Sequence, residues 1–496
     1  MLLLPLLTLL ASSTATAAPL WSVTVDALNV THQLHPHAMG CHVDLGYAHQ
    51  PRALYAQMVV GSSFDSAFPV DAADGSGWVD VSTAPAMAGA ATRDHTQRFG
   101  YQTDGQGLGS QRLRHTGNAA GRVAVANRGL GNEGLVFHAG RYYEGRVFAR
   151  NNLLSPARLT VSIEDWSRGV RVLAQTTLTV PAGAEWYQLN FTLTPNANTT
   201  CEGVVPHSAI ANASGVTCPL NNTYRADVTM SDRSAHVCVV CGGQFVLALE
   251  SAGDVNLDAV LLQPGAWGRF RGLPVNREAV EWLQAMGTTL LRVGGSFVSR
   301  PGTCPTANCT TPANYSLWKS WRGDPAKRLS SAATWGHDLI GGFGMFEALD
   351  LAAAMDIDAV ITTYAQGVHP DAMAELVEYC WGNSSTTWGK MRIEEDRHPA
   401  PFRLQYVELG NEEYNAGFVA QVAAMEAKAK AVGVPVKLQY LFPQKMGINS
   451  SDAAGAQALG LGDRLMVDTH PGGDDAPGVA TFHDTMVSPN TGQRGW

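Results

Sequence analysis

The sequence predicts a multidomain chain of α/β plus all-β type. A β-sandwich precedes a series of βα units that build a parallel sheet, the arrangement of a (β/α)8 TIM-type barrel. Three observations carry this. From about Arg271 onward strand-like and helix-like segments alternate. Between Gly121 and Gly265 short strand candidates recur with turn residues between them. The apolar run Leu404–Leu409 stops at Gly410-Asn411-Glu412-Glu413, and a helix candidate follows from about Ala416 to Val432. A strand that delivers Asn and Glu at its carboxyl end is the layout of a barrel active site. The same run also fits an ordinary parallel strand ending in a turn.

Taken in order, the chain starts with the apolar run Met1–Leu10 and a small-residue stretch ending Ala15-Thr16-Ala17-Ala18. This reads as a secretory signal peptide cleaved near Ala17 or Ala18. The run is too short to span a bilayer, and no later segment is long and apolar enough either. Trp21 to Ala27 alternates as a strand does. His32, His35, His37 and His42 follow in what reads as a surface loop, and a helical stretch is expected from about Arg52 to Val60. Residues 66 to 120, rich in Gly, Ala, Ser and Asp, read as loops and short strands.

Strand candidates of the sandwich are Val123–Ala126, Tyr142–Arg150, Leu159–Ile163, Val170–Leu178, Trp186–Phe191, Tyr224–Met230 and Gln244–Leu249, with Val255–Leu262 last. Asn196 to Asn222 is expected as an exposed loop stapled by Cys201–Cys218. Beyond Arg271, helices are expected at Arg277–Met286, Met345–Met355, Asp371–Cys380, Ala416–Val432 and Ala453–Leu459. Strands are expected at Thr289–Val293, Ala359–Tyr364, Leu404–Leu409, Val436–Tyr440 and Leu465–His470.

The 496 residues suffice for two to four domains. Only 16% are charged and the formal net charge is -9, with no basic tract, so nucleic acid is not an expected partner. Eight cysteines fit an oxidising compartment, with Cys304–Cys309 as a further local pair. Cys238 and Cys241 lack the second cysteine pair of a zinc site, and no metal or cofactor is expected. Sequons begin at Asn29, Asn198, Asn212, Asn221, Asn308, Asn314, Asn383 and Asn449, as suits a secreted glycoprotein.

Successive strand ends deliver Arg292, Tyr364, Asn411, Glu412, Glu413, Gln439 or Tyr440, Asp468 and His470. Polar groups gathered this way suit a carbohydrate site. A glutamate there can act as general acid, an asparagine can hold a sugar hydroxyl, and aromatics such as Trp318, Trp321 and Tyr414 can stack on a sugar face. Several of these residues fit equally well as loop residues or helix caps. No Gly-x-Ser-x-Gly elbow and no dinucleotide fingerprint stands in a fitting context.

Tyr406-Val407-Glu408-Leu409-Gly410-Asn411-Glu412 closely resembles the family-51 glycoside hydrolases, chiefly α-L-arabinofuranosidases. So do the early residues Leu54, Tyr55, Ala56, Ser63 and Phe64, and Arg292-Val293-Gly294-Gly295. Phe343–Glu347, Glu378-Tyr379-Cys380 with Asn383, and Asp468-Thr469-His470 add to the likeness. The resemblance implies a retaining mechanism with Glu412 as general acid/base and a barrel of the large clan that shares the Asn-Glu pair. It implies Asp44, Asn383 and His470 as substrate contacts beside Asn411 and Trp318, although Asp44 stands where the family has glutamate. It also makes the sandwich carbohydrate-binding-like.

The implied organisation is a signal peptide over 1–18, a segment packing on the barrel over 19–65, the sandwich over 66–265 and the barrel over 271–496. The family's nucleophile is a glutamate well beyond the Asp-x-His motif. Residues 471–496 hold Asp474, Asp475 and Asp484 but no glutamate. The expectation is therefore a barrel incomplete at its C-terminal end, with the nucleophile unidentified and activity of this chain in doubt. The expected partner is an arabinose-containing polysaccharide or glycan, in an extracellular or cell-wall location. A non-catalytic carbohydrate-binding protein, or another retaining glycosidase of the same clan, is the alternative.

Overall fold

The computed structural model describes residues 37, 39–44, 53–64, 78–94, 96–97, 109–129, 134–201, 223–225, 236–238, 241–295, 317–328, 342–412, 414–443 and 450–467. In chain order, β1 (Gly40–Asp44) precedes the sandwich strands β2 (Trp78–Asp80), β3 (Gly89–Asp94), β4 (Ser110–His115) and β5 (Val123–Asn127). Then come β6 (Tyr143–Asn151), β7 (Ala157–Asp165), β8 (Arg171–Val180), β9 (Trp186–Leu193), β10 (Thr223–Arg225), β11 (His236–Cys238), β12 (Gly243–Leu249) and β13 (Gly253–Pro264). The alternating part has α1 (Arg277–Ala285), β14 (Leu290–Gly294), α2 (Met345–Met355), β15 (Asp358–Thr363), α3 (Pro370–Trp381) and the short α4 (Thr387–Lys390). It continues with β16 (Tyr406–Leu409), α5 (Phe418–Val432), β17 (Gln439–Phe442), α6 (Ser450–Ala458) and β18 (Leu465–Val467).

β1, β14, β15, β16, β17 and β18 form one six-stranded sheet in that order, all parallel. The sheet is consistent with a barrel-like core. Its first strand is Gly40–Asp44, a segment whose sequence gave no strand pattern. The sandwich is thus inserted between the first and second strands of the parallel sheet. Two antiparallel sheets make it, in the orders β2-β5-β12-β7-β8 and β3-β4-β13-β6-β9, with β10 and β11 pairing separately. Val255–Leu262 belongs to one long strand, β13, with a register shift between Asp258 and Leu261.

Each body has its own core. Val123, Val125, Val161, Ile163, Phe245, Leu247 and Leu257 alternate inward between the two sandwich sheets. Leu291, Val293, Ile361, Val407 and Leu409 face the helices that cover the parallel sheet. Among the described residues 53–60 of the segment expected as a helix over Arg52 to Val60, only Ala53 and Leu54 are helical. Its apolar residues are divided between the two cores, Leu54 and Tyr55 in one and Val59 in the other, so no single helical face is buried. Gln57 fixes it to β13, donating to Val260 O at 2.7 Å and accepting from Leu262 N at 2.9 Å.

The staple expected as Cys201–Cys218 is instead Cys201–Cys241, spanning 40 residues. Cys201 and Cys241 are also backbone bridge partners, which brings their α-carbons to 4.0 Å. The signal peptide, the Cys304–Cys309 pair and the Asp468–His470 motif lie outside the described residues. Among the described residues no helix is long and apolar enough to cross a membrane.

Candidate active site at the carboxyl ends of the parallel strands

The inward face of the parallel sheet is layered. Leu290, Val360, Tyr406, Leu441 and Met466, one from each of β14 to β18, form an apolar cluster. Two residues further along β14, β15 and β16 the same faces carry Arg292, Thr362 and Glu408. This follows from the period of two, and it turns the next layer polar. Glu408 is fully buried, and its charge is met by a two-pronged pair with Arg292. Arg292 Nε donates to one carboxylate oxygen and Nη2 to the other, both at 2.8 Å. The Thr362 hydroxyl donates to the same carboxylate at 2.5 Å. Such planar, two-bond recognition holds an arginine in one orientation.

That orientation is passed on. Arg292 Nη2 donates to Asn411 Oδ1 at 2.9 Å, and Nη1 lies 2.9 Å from His42 Nε2 on β1. The contact fixes which way the Asn411 amide faces, with Oδ1 turned to the guanidinium. Glu412 follows directly. It is exposed and sits at φ 57°, in the left-handed region that a residue with a side chain rarely adopts. Gly410 before it has φ 122°. Strained positions of this kind cost about 1–3 kcal/mol and gather at functional sites, where the surrounding structure holds them.

The holding groups are visible. Asn415, fully buried, donates from Nδ2 to Leu409 O at 3.1 Å and to Gln421 Oε1 at 2.8 Å. Gln421 in turn donates to Ala365 O and Val368 O in the loop after β15. The turn carrying Glu412 is therefore tied to its own strand and to the neighbouring loop. Tyr414 is 42% exposed on the same turn. Among the described residues no group of three or more His, Cys, Asp or Glu is placed to hold a metal.

The expected sugar contacts divide. Asn411 and Glu412 are side by side at the strand end. The β1 backbone places Asp44 opposite Gly294 in the sheet register, and its side chain lies outside the description. His470 is outside it as well. Trp318 is corrected: it is fully buried, its Nε1 donates to Ala372 O, and its ring packs on Tyr379 and Trp388. It offers no face to a sugar. Asn383 is corrected too. It follows the carboxyl end of α3, which returns the chain to the amino end of the sheet. Two residues earlier, Trp381 Nε1 donates to Leu404 O ahead of β16. Asn383 is therefore at the far end of β16 from Glu412, where it accepts bonds from Ser385.

Glu408 and His42 escaped the sequence reading. Glu408 looked like one polar residue in an apolar strand. Its signal was the period of two, which puts an acid on the inward face and demands a buried partner there. Arg292 on β14, one strand beyond the neighbouring β15, was that partner.

Residues 283–470 match the family model described as Alpha-L-arabinofuranosidase 1 domain. An extracellular exo-α-L-arabinofuranosidase of Streptomyces chartreusis is 24% identical over 310 residues, 58% of this chain and 31% of the relative. The chain thus spans about a third of that enzyme's length. The arabinose-bound MgGH51 α-L-arabinofuranosidase superposes with a TM-score of 0.63 at 17% identity, covering 94% of this chain and 66% of that one. The superposition speaks for the fold, an inserted sandwich beside a barrel-like core. Residues 283–470 are thus homologous to α-L-arabinofuranosidases, and the chain shares its fold with a family-51 member.

Proposed function

We propose that the protein is a retaining glycoside hydrolase that removes terminal non-reducing α-L-arabinofuranosyl residues from a polysaccharide or glycan outside the cell. The observation that carries this is Glu412, held in a left-handed turn at the carboxyl end of β16 behind an asparagine that a buried ion pair orients. In this reading Glu412 protonates the glycosidic oxygen as the bond to the leaving group breaks. A second carboxylate, about 5–5.5 Å away, takes the sugar as a glycosyl ester. Glu412, now a carboxylate, then draws a proton from the water that hydrolyses the ester. Asn411 donates from Nδ2 to a sugar hydroxyl. Asp44 and His470 are proposed as further sugar contacts. The nucleophile is not assigned to a residue.

The test is turnover of an aryl α-L-arabinofuranoside by the full-length protein and its Glu412→Gln variant. The expected loss is about 10²–10⁴-fold with a poor leaving group. It shrinks with a dinitrophenolate leaving group, which departs without a proton. A Glu412→Gln protein that turns over both substrates as the parent does removes Glu412 from the mechanism. If the parent binds arabinosides but cleaves none, the protein is a carbohydrate-binding one instead.

A further inference from the structure

A cavity of about 690 Å³ opens at the amino end of the parallel sheet, the end opposite Glu412. It lies within the size range of small-molecule sites. The segments leading into β14, β15, β16 and β17 line it together with α2, and its lining is mixed. Trp381, Pro435 and helix alanines make an apolar wall. Arg403, Gln405 and Asp358 stand among them. Arg403 is exposed. Asp358 pairs with His37 Nε2 at 2.7 Å and keeps a 41% exposed side chain.

The chemistry of that lining selects a ligand class. One arginine beside two acids, Asp356 and Asp358, gives no surplus of positive charge for a phosphate. The polar groups are too many for an alkyl chain. Planar side chains with two hydrogen-bonding atoms match vicinal hydroxyls, and an aromatic and proline wall matches the C–H face of a sugar ring. We propose that this cavity is a second, non-catalytic saccharide site, which binds a chain of the polysaccharide while its arabinosyl ends are cut at the opposite end of the sheet. The proposal rests on the reading of the protein as a polysaccharide-acting enzyme. A site there would hold the enzyme on its substrate without competing for Glu412, and raise the local concentration of cleavable ends.

Hydrogen–deuterium exchange of the full-length protein, with and without arabino-oligosaccharides, tests it. The expected result is protection of backbone around residues 401–405 and 433–437, retained in Glu412→Gln. Arg403→Ala and the cavity-filling Ala353→Trp weaken binding at least about tenfold with no change in thermal midpoint for Arg403→Ala. Protection confined to the turns around Asn411 and Glu412, with affinity untouched by Arg403→Ala, overturns the second site and leaves the catalytic reading standing. Loss of aryl arabinofuranoside turnover in Glu412→Gln reports on that reading separately.

Discussion

At the scale of single residues, the Arg292–Glu408 pair decides most. Glu408 is fully buried and the Arg292 side chain is 18% exposed, so each charge depends on the other. Glu408→Gln leaves a guanidinium in the interior without its counter-charge. The expected cost is about 3–5 kcal/mol, read as a lower urea midpoint for the parallel-sheet body. Replacing both partners, Arg292→Met with Glu408→Leu, should recover most of that stability. It should still abolish turnover, because Asn411 loses the donor that fixes its amide. Equal stability of Glu408→Gln and the parent would show that the pair is not what holds this layer. Gly294 matters for the same layer. At φ 142° it faces Thr362, and a β-carbon there would sit 2.3 Å from the Thr362 β-carbon.

At the scale of elements, the Cys201–Cys241 bridge joins the end of the segment after β9 to the start of β12. Asp165 at the end of β7 accepts from Thr200 N at 2.7 Å beside it, so bridge and strand end form one corner of the sandwich. Closing a loop with a separation of 40 residues is worth up to about 4 kcal/mol by the chain-entropy estimate. Cys241→Ser is expected to lower sandwich stability by about that amount in a denaturant titration under oxidising conditions. The parallel-sheet transition should stay where it was. A matching fall in both transitions would mean that the two bodies unfold as one.

At the scale of the whole molecule, the sandwich enters between β1 and β14 and stays attached along a polar seam. Arg146 on β6 pairs with Asp324, and Gln57 spans to β13. Acid should loosen the sandwich before the parallel sheet. Burial opposes ionisation of Asp165, yet hydrogen bonds from Ser167 and Thr200 outweigh it and draw its carboxyl down to about 2. Its folded value lies below the unfolded value of about 3.9. The stabilisation is therefore complete above pH 4 and is lost as pH falls toward 2. It amounts to about 2–3 kcal/mol. Denaturant midpoints between pH 5 and 2 should fall for the parent and fall less for Asp165→Asn. A variant with the parent's slope would place the acid sensitivity elsewhere.

The sequence by itself determined the two-body plan, the alternation after Arg271 and the Asn411-Glu412 strand end. Each of these follows from local patterns, because a period of two or of 3.6 residues records which face is buried. Only the tertiary structure decided that Gly40–Asp44 is the first parallel strand. Five residues with a cysteine, a histidine and an aspartate carry too little apolar pattern, and their partners lie 250 residues away on β14. The same holds for the disulfide partner of Cys201, for Trp318 and Asn383, and for Glu408. Which aromatic is buried, which end of a helix a residue reaches and which acid meets an arginine depend on neighbours from other strands. Spacing along the chain does not record them.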